Sequence, residues 1–214
     1  MSRIDAEGLS SDPGTALVLM GLGNPGSEYR DTRHNVGFAC IEALAQKLGI
    51  RIDRRRWHAR VGQTELGGRR LWLLEPQTFM NDSGRAAREA LRDLGFPVHA
   101  LWVVHDELDL PLGRMRIKLG GSAAGHNGIR SLITALGGRS DFVRFRVGVG
   151  KPDQAGSKAG VEHVLGRFSR AQGELVTQIE ARVADALYLA LEAGLERAME
   201  RYNRPSALLE DSPR

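Results

Sequence analysis

Cysteine is almost missing from this chain. Cys40 stands alone among 214 residues, so no disulfide can close within the chain, and it reads as a small buried hydrophobe on a helix. Long apolar runs are missing too, since none approaches the ~20 residues that cross a bilayer. The first stretch, MSRIDAEGLSSDPG, has no apolar core and carries acids early, which argues against a secretory signal. Residues 1–14 are therefore expected to be a disordered leader on a cytoplasmic protein with no membrane partner. Lysine is scarce, because 26 of the 30 basic residues are arginine. Familiar catalytic signatures are absent as well. No Gly-Lys-Ser/Thr follows a glycine-rich turn, which excludes a P-loop. No G-x-S-x-G elbow offers a serine nucleophile, and no i, i+4 histidine pair imposes metal geometry.

What remains is enough to fold. With 42% hydrophobic residues the chain buries a core without staples, and its length fits one domain. Apolar runs at Leu17–Met20 and Leu101–Val104 read as buried strands. Alternation over Arg114–Leu119 and Phe142–Val149 predicts half-exposed strands, and Ala59–Leu66 with Arg70–Leu74 predicts a hairpin turning at Gly67-Gly68. Helical spacing covers about Asn35–Leu48, Asp82–Leu94 and Gly128–Leu136. A long final amphipathic helix runs from Ser169 to Tyr202, with a break expected at Gly194. It is expected either to pack on the sheet or to cover the cleft. Alternating strands and helices predict a single α/β domain over residues 15–202, a twisted mixed β-sheet surrounded by helices, followed by a mobile tail over 203–214. A monomer is the expected state.

The segment Gly21–Phe38, GLGNPGSEYRDTRHNVGF, carries the sharpest ambiguity. Gly21, Gly23 and Gly26 satisfy the G-x-G-x-x-G spacing of a dinucleotide turn after a strand. Against that reading, Pro25 removes a backbone N–H, and the residues after Gly26 are polar and aperiodic. A Rossmann turn instead enters its helix directly, and no acid ends a second parallel strand about twenty residues on. No nicotinamide or other cofactor is expected. The same segment delivers Asn24 and His34 to the strand end. Three further polar clusters follow strands or open helices: Phe79-Met80-Asn81, His105-Asp106-Glu107 and Gly125-His126-Asn127. In open α/β sheets such positions converge at one crevice. Histidine, aspartate and amide groups suit water activation, with a tautomer fixed by the carboxylate and an oxyanion met by an amide. His34, His105, Asp106, Glu107, Asp109 and His126 also leave a metal-dependent hydrolase open, although no metal site is expected. A non-catalytic RNA-binding module is the other alternative. It would account for the charge of +4 and for the runs Arg51–Arg60 and Arg114–Lys118, which as solvated faces would mean nothing.

GLGNPGSEYRDTRHNVGF, PQTFMNDSGRA, VVHDELDLPLGRMRIKLGG, GHNGIRSLI and FRVGVGKP, in this order, resemble bacterial peptidyl-tRNA hydrolases over roughly Leu17 to Phe168. The resemblance implies metal-free hydrolysis of the ester joining a peptide to the terminal ribose of tRNA. It implies that His34 is the base acting on water, that Asp106 stabilises its working state, and that Asn24 polarises the ester and helps recognise blocked substrates. Tyr29, Phe79, Asn81 and Asn127 match substrate-contacting positions, Met80 an apolar wall and His126 a supporting position. Lys118 and Arg146 match a pair that grips the tRNA 5′-phosphate, with Arg144 on the same strand face. The family's further lysine falls near Ala155, so Lys151 or Lys158 would replace it. Ala124 stands where the family commonly has glycine.

Overall fold

Two runs buried on both faces form the centre of the molecule. β1 (Leu17–Gly21) and β5 (Leu101–Glu107) pair in parallel, Val18 opposite Leu101 and Gly21 opposite Val104, and every residue of both strands is buried. The protein's structure is a computed structural model that describes residues 16–152 and 156–204. The leader expected over 1–14 and all but the first two residues of the expected tail lie outside those residues. Around the central pair, β4 (Arg69–Pro76) and β7 (Val143–Gly148) run parallel to the centre. β3 (Ala59–Leu66), β2 (Arg54–Arg56) and β6 (Met115–Leu119) supply the antiparallel edges. Among the described residues these make a seven-stranded sheet in the order β2-β3-β4-β1-β5-β7-β6. The sheet is mixed, as its sequence pattern indicates.

Helices cover both faces because the strands expose apolar side chains to both. On one face α1 (Val36–Lys47), α5 (Gly173–Ala193) and α6 (Leu195–Tyr202) bury Cys40, Ile41, Leu44, Val183 and Leu187 against Leu19, Leu73 and Val104. On the other, α2 (Ser83–Leu94) and α3 (Asn127–Ala135) bury Ala87, Ala90, Ile129 and Leu132 against Met20, Leu74 and Val103. The final helical stretch packs on the sheet and breaks at Gly194, whose φ of 92° suits glycine. Asn203 ends it by lending its side-chain amide to the free edge of β6, accepting from Ile117 N and donating to Ile117 O. Among the described residues no helix is long and apolar enough to cross a membrane.

Two sequence expectations need correction. β5 does not stop at Val104 but continues through His105, Asp106 and Glu107, so these polar residues lie within the strand rather than after it. A helix not expected from the sequence, α4 (Ser157–Leu165), follows β7.

The Arg51–Arg60 cluster is absorbed by the fold only in part. Arg54–Arg56 form the fully exposed edge strand β2, and Arg56 and Trp57 share Asp93 at 2.6 and 2.8 Å. Arg60 donates to Glu75, which is wholly buried on β4. Burial, and then the neighbouring Glu42, raise the Glu75 carboxyl to about 8, with Arg60 opposing the shift. A carboxyl raised in the folded state stabilises the fold below its unfolded value near 4.5, and that stabilisation is lost as pH rises towards 8. At about 1.4 kcal/mol per unit of displacement, the loss amounts to a few kcal/mol. A Glu75→Gln variant should lack this slope and gain on the wild type between pH 5 and 8 in urea unfolding. Parallel pH curves for the two proteins would refute the assignment.

Candidate active site

The loop after β1 is shaped by close packing of α1. A Cβ on Gly21 would overlap the Gly37 carbonyl, and one on Gly37 would overlap the carbonyls of Leu22 and Val104. A Cβ on Gly23 would strike the Phe38 ring. The glycines of the apparent dinucleotide spacing therefore admit a helix rather than a pyrophosphate. α1 itself begins only at Val36, after turns that carry Tyr29 and His34. With Asn24 freed from the strand and His34 in the 3-10 turn Arg33–Asn35, both reach the carboxyl edge of the sheet. There they meet Asp106 from β5 and the Phe79–Asn81 segment that follows β4.

Asp106 is the hub. Its Oδ1 lies 2.8 Å from His34 Nδ1 and 2.9 Å from His126 Nε2, and its side chain is 3% exposed. The tautomer of His126 follows from its other nitrogen. Nδ1 accepts the backbone N–H groups of Gly128 and Ile129 at the start of α3, so it carries no proton, and Nε2–H donates to Asp106. Histidine thus serves as the N-cap in place of the usual Ser, Asp or Asn. Burial alone would raise the Asp106 carboxyl. The electrostatic attraction and hydrogen bonds of the His126 and His34 imidazoles outweigh it and hold the group well below the usual carboxylate range. A persistent carboxylate makes His34 Nδ1 the donor to Asp106, which leaves Nε2 as the ring nitrogen not engaged by it. His105, its ring edge-on to that of His126 with centroids 4.8 Å apart, donates Nδ1–H to the Asp106 carbonyl. Burial, then the adjacent His126, lower its pKa well below the ordinary value and keep it neutral.

Asn24 is equally constrained. Its Oδ1 accepts Met80 N–H at 2.8 Å, which turns Nδ2 into the donor left for the cleft. Asn127 is exposed and its Oδ1 is taken by Arg130, so it too offers an amide N–H pair. The cleft measures about 600 Å³. Asn24, His34, Phe79, Met80, Asn81, Asp106, His126 and Asn127 all line it. Tyr29 is outside the lining and stands at the rim, edge-on to Phe79 with ring centroids 6.4 Å apart. Ala124 lines the cleft with φ of 46°, a left-handed conformation in which glycine would be unstrained. One feature escapes the sequence pattern, the apolar wall that Val161, Val164 and Leu165 of α4 contribute to the cleft. Glu107, expected in the cluster with Asp106, lines the cleft as well and binds Arg146.

Lys118 and Arg146 lie away from the cleft lining. Lys118 pairs with Arg144 and Arg116 with Arg146 across β6 and β7, so all four cations share one face of the sheet edge. Lys118 and Arg116 are exposed. Arg144 is 4% exposed and spends its Nη groups on the carbonyls of Gly121 and Ser122, so it braces the loop leading to His126. Arg146 Nε donates to Glu107 Oε2 at 2.8 Å and Nη2 lies 2.8 Å from the same oxygen. Lys151 is engaged with Asp109 at 2.9 Å, whereas Lys158 projects from α4 with its side chain 91% exposed.

An α/β sheet that gathers imidazole, carboxylate and amide groups in one cleft at its carboxyl edge defines a hydrolytic enzyme. The family model described as peptidyl-tRNA hydrolase matches residues 18–210. The chain is 44% identical over 186 residues to a peptidyl-tRNA hydrolase of Caldanaerobacter subterraneus, covering 87% of this chain and 98% of that protein. It is 45% identical over 195 residues to one from Prochlorococcus marinus, covering 89% and 94%. The crystal structure of peptidyl-tRNA hydrolase from Acinetobacter baumannii superposes with a TM-score of 0.81 at 33% identity, covering 88% of this chain and 95% of that one. The chain belongs to the peptidyl-tRNA hydrolase family.

Proposed function

We propose that this protein hydrolyses the ester between the peptide, or an N-blocked aminoacyl group, and tRNA, acting as a cytoplasmic monomer that recycles tRNA during translation. The observation that carries the chemistry is the single carboxylate oxygen of Asp106 accepting from both His34 and His126. It leaves His34 Nε2 free to take a proton from water. The water then attacks the ester carbonyl, and Asn24 Nδ2, its oxygen already committed to Met80, donates to the developing oxyanion. His34, now protonated, is held by the Asp106 charge until it returns the proton to the leaving ribose oxygen. Amide groups of Asn81 and Asn127 engage the peptide backbone, which suits a substrate whose side chains vary.

The alternative metal-dependent reading starts from the same trio, whose ligand atoms lie within 4.8 Å of one another. The donor set fits it poorly. His126 has Nδ1 occupied by backbone N–H groups and a proton on Nε2, so binding a cation there requires an imidazolate. No step is assigned to a metal.

The direct experiment is cleavage of N-acetyl-aminoacyl-tRNA with and without a chelator. Cleavage unchanged by the chelator supports the reading. Loss that is restored by a divalent ion would transfer it to the metal-dependent class, and no cleavage at all would leave the RNA-binding module. In the same assay Lys118→Ala should raise KM, leave kcat unchanged, and reduce the slope of log binding against log salt by about 1, as loss of one phosphate contact requires. An unaltered slope would remove Lys118 from the tRNA footprint. Arg146→Ala should behave differently and lower kcat too, because it strands the buried Glu107 carboxylate beside Asp106.

A further inference from the structure

Asn35 sits at the N-cap of α1, the position where asparagine ordinarily accepts a backbone N–H of its own helix. It makes no such bond. Its side-chain amide instead pairs with the backbone of Asn24 as a second peptide group would. Asn35 Oδ1 accepts from Asn24 N at 2.9 Å and Asn35 Nδ2 donates to Asn24 O at 2.9 Å. Asn24 lies between β1 and the turns that follow, outside any strand or helix, so these two bonds supply the backbone partners that regular structure does not. Asn35 is 3% exposed and does not line the cleft. It borders the adjoining groove, which Asn24 also lines, rather than the cleft itself.

We infer that Asn35 is a positioning residue that sets Asn24 relative to His34. The two functional groups come from a loop and a turn that are otherwise independent. His34 and Asn35 are consecutive in the same 3-10 turn, tied by Asn35 N to Thr32 O at 3.0 Å. One turn therefore fixes the imidazole directly and the Asn24 backbone through the Asn35 amide. With its backbone held, Asn24 reaches Met80 N with Oδ1, and only then does Nδ2 face the ester. The spacing between base and oxyanion donor is built into this turn rather than left to the Gly23–Gly26 loop. This assignment rests on the role proposed above for Asn24.

The test is a double-mutant cycle of Asn24→Ala and Asn35→Ala, assayed on N-acetyl-aminoacyl-tRNA and on unblocked aminoacyl-tRNA. Misplacing a catalytic group by about 1 Å typically lowers turnover by up to ~10²-fold, so Asn35→Ala should lower kcat by ~10–10²-fold with KM little changed. If Asn35 acts through Asn24, its substitution in the Asn24→Ala background should add little further loss. Preference for the blocked substrate should fall in both single variants, which a general loosening of the fold would not produce. The isosteric Asn35→Asp, which keeps the acceptor for Asn24 N–H but faces its carbonyl with oxygen, should also be impaired and covers the case in which the alanine variant fails to fold. Independent, multiplying losses in the cycle, or full turnover in a folded Asn35 variant, would overturn the positioning role. Full turnover in Asn24→Ala would instead remove the role of Asn24 and this inference with it.

Discussion

A His34→Ala variant should lose kcat by ~10²–10⁴-fold on N-acetyl-aminoacyl-tRNA, the range typical of a general base, while KM stays nearly unchanged. The split follows from where the imidazole stands. Its Nδ1 side is spent on Asp106 and only Nε2 meets the cleft, so the ring acts on the water rather than gripping the substrate. In the proposed reading, binding is left to Phe79, Asn81 and Asn127 and to the basic sheet edge, none of which the substitution touches. His34 is 8% exposed and sits in a turn whose backbone is held by Gly166 and Thr32. Truncating the ring should therefore leave the fold in place, which thermal unfolding would verify. Near-full turnover in a folded variant would dismiss His34 as the base. A rise in KM with kcat intact would make it a binding residue.

The parts of the fold that could be read in advance are those whose burial is written as apolar continuity. β1 and β5 are covered on both faces, and Leu17–Met20 and Leu101–Val104 declare it. β5 runs past its apolar stretch because its last three residues turn polar while remaining in the ladder, Asp106 opposite Val147 and Glu107 opposite Gly148. Periodicity has no means of recognising a strand that ends in charge. α4 escaped for the opposite reason. Over SKAGVEHVL its short apolar set is interrupted by Gly160, and Val161, Val164 and Leu165 line the cleft rather than fill a core cluster. β2 is three arginines, a strand only by virtue of its pairing with β3.

The site divides along similar lines. Which residues lie in the cleft is legible, since each lies at or just beyond a strand's carboxyl end or near the start of a helix, and the topology brings such ends together. Their orientations are not. That His126 caps α3 with one nitrogen and serves Asp106 with the other depends on a contact twenty positions away. That Asn24 presents Nδ2 rather than Oδ1 depends on Met80, fifty-six positions away. The phosphate grip is the instructive case. Arg146 reads as a free cation in FRVGVG, yet in three dimensions it neutralises Glu107, so the exposed charge at that edge belongs to Lys118 and Arg116.

Asp106→Asn should lower kcat by ~10²–10⁴-fold, because a neutral amide cannot hold the imidazolium that forms as His34 takes its proton. The amide keeps the volume, and its single oxygen can still receive both imidazole N–H groups, so geometry survives while charge does not. Misfolding and lost chemistry are separable through pH. In the wild type the two histidines outweigh burial and hold the Asp106 carboxyl well below the usual range. A carboxyl lowered in the folded state contributes stability above its unfolded value near 3.8, and that stability is lost as pH falls through that value and below it. The asparagine variant has no such group. Its deficit in unfolding free energy should be greatest at neutral pH and shrink below about pH 4, where the wild type also begins to carry a protonated carboxyl in its unfolded state. A deficit independent of pH would mean that Asp106 acts through packing. A kcat within a few-fold of wild type would show that the charge is not what makes His34 a base.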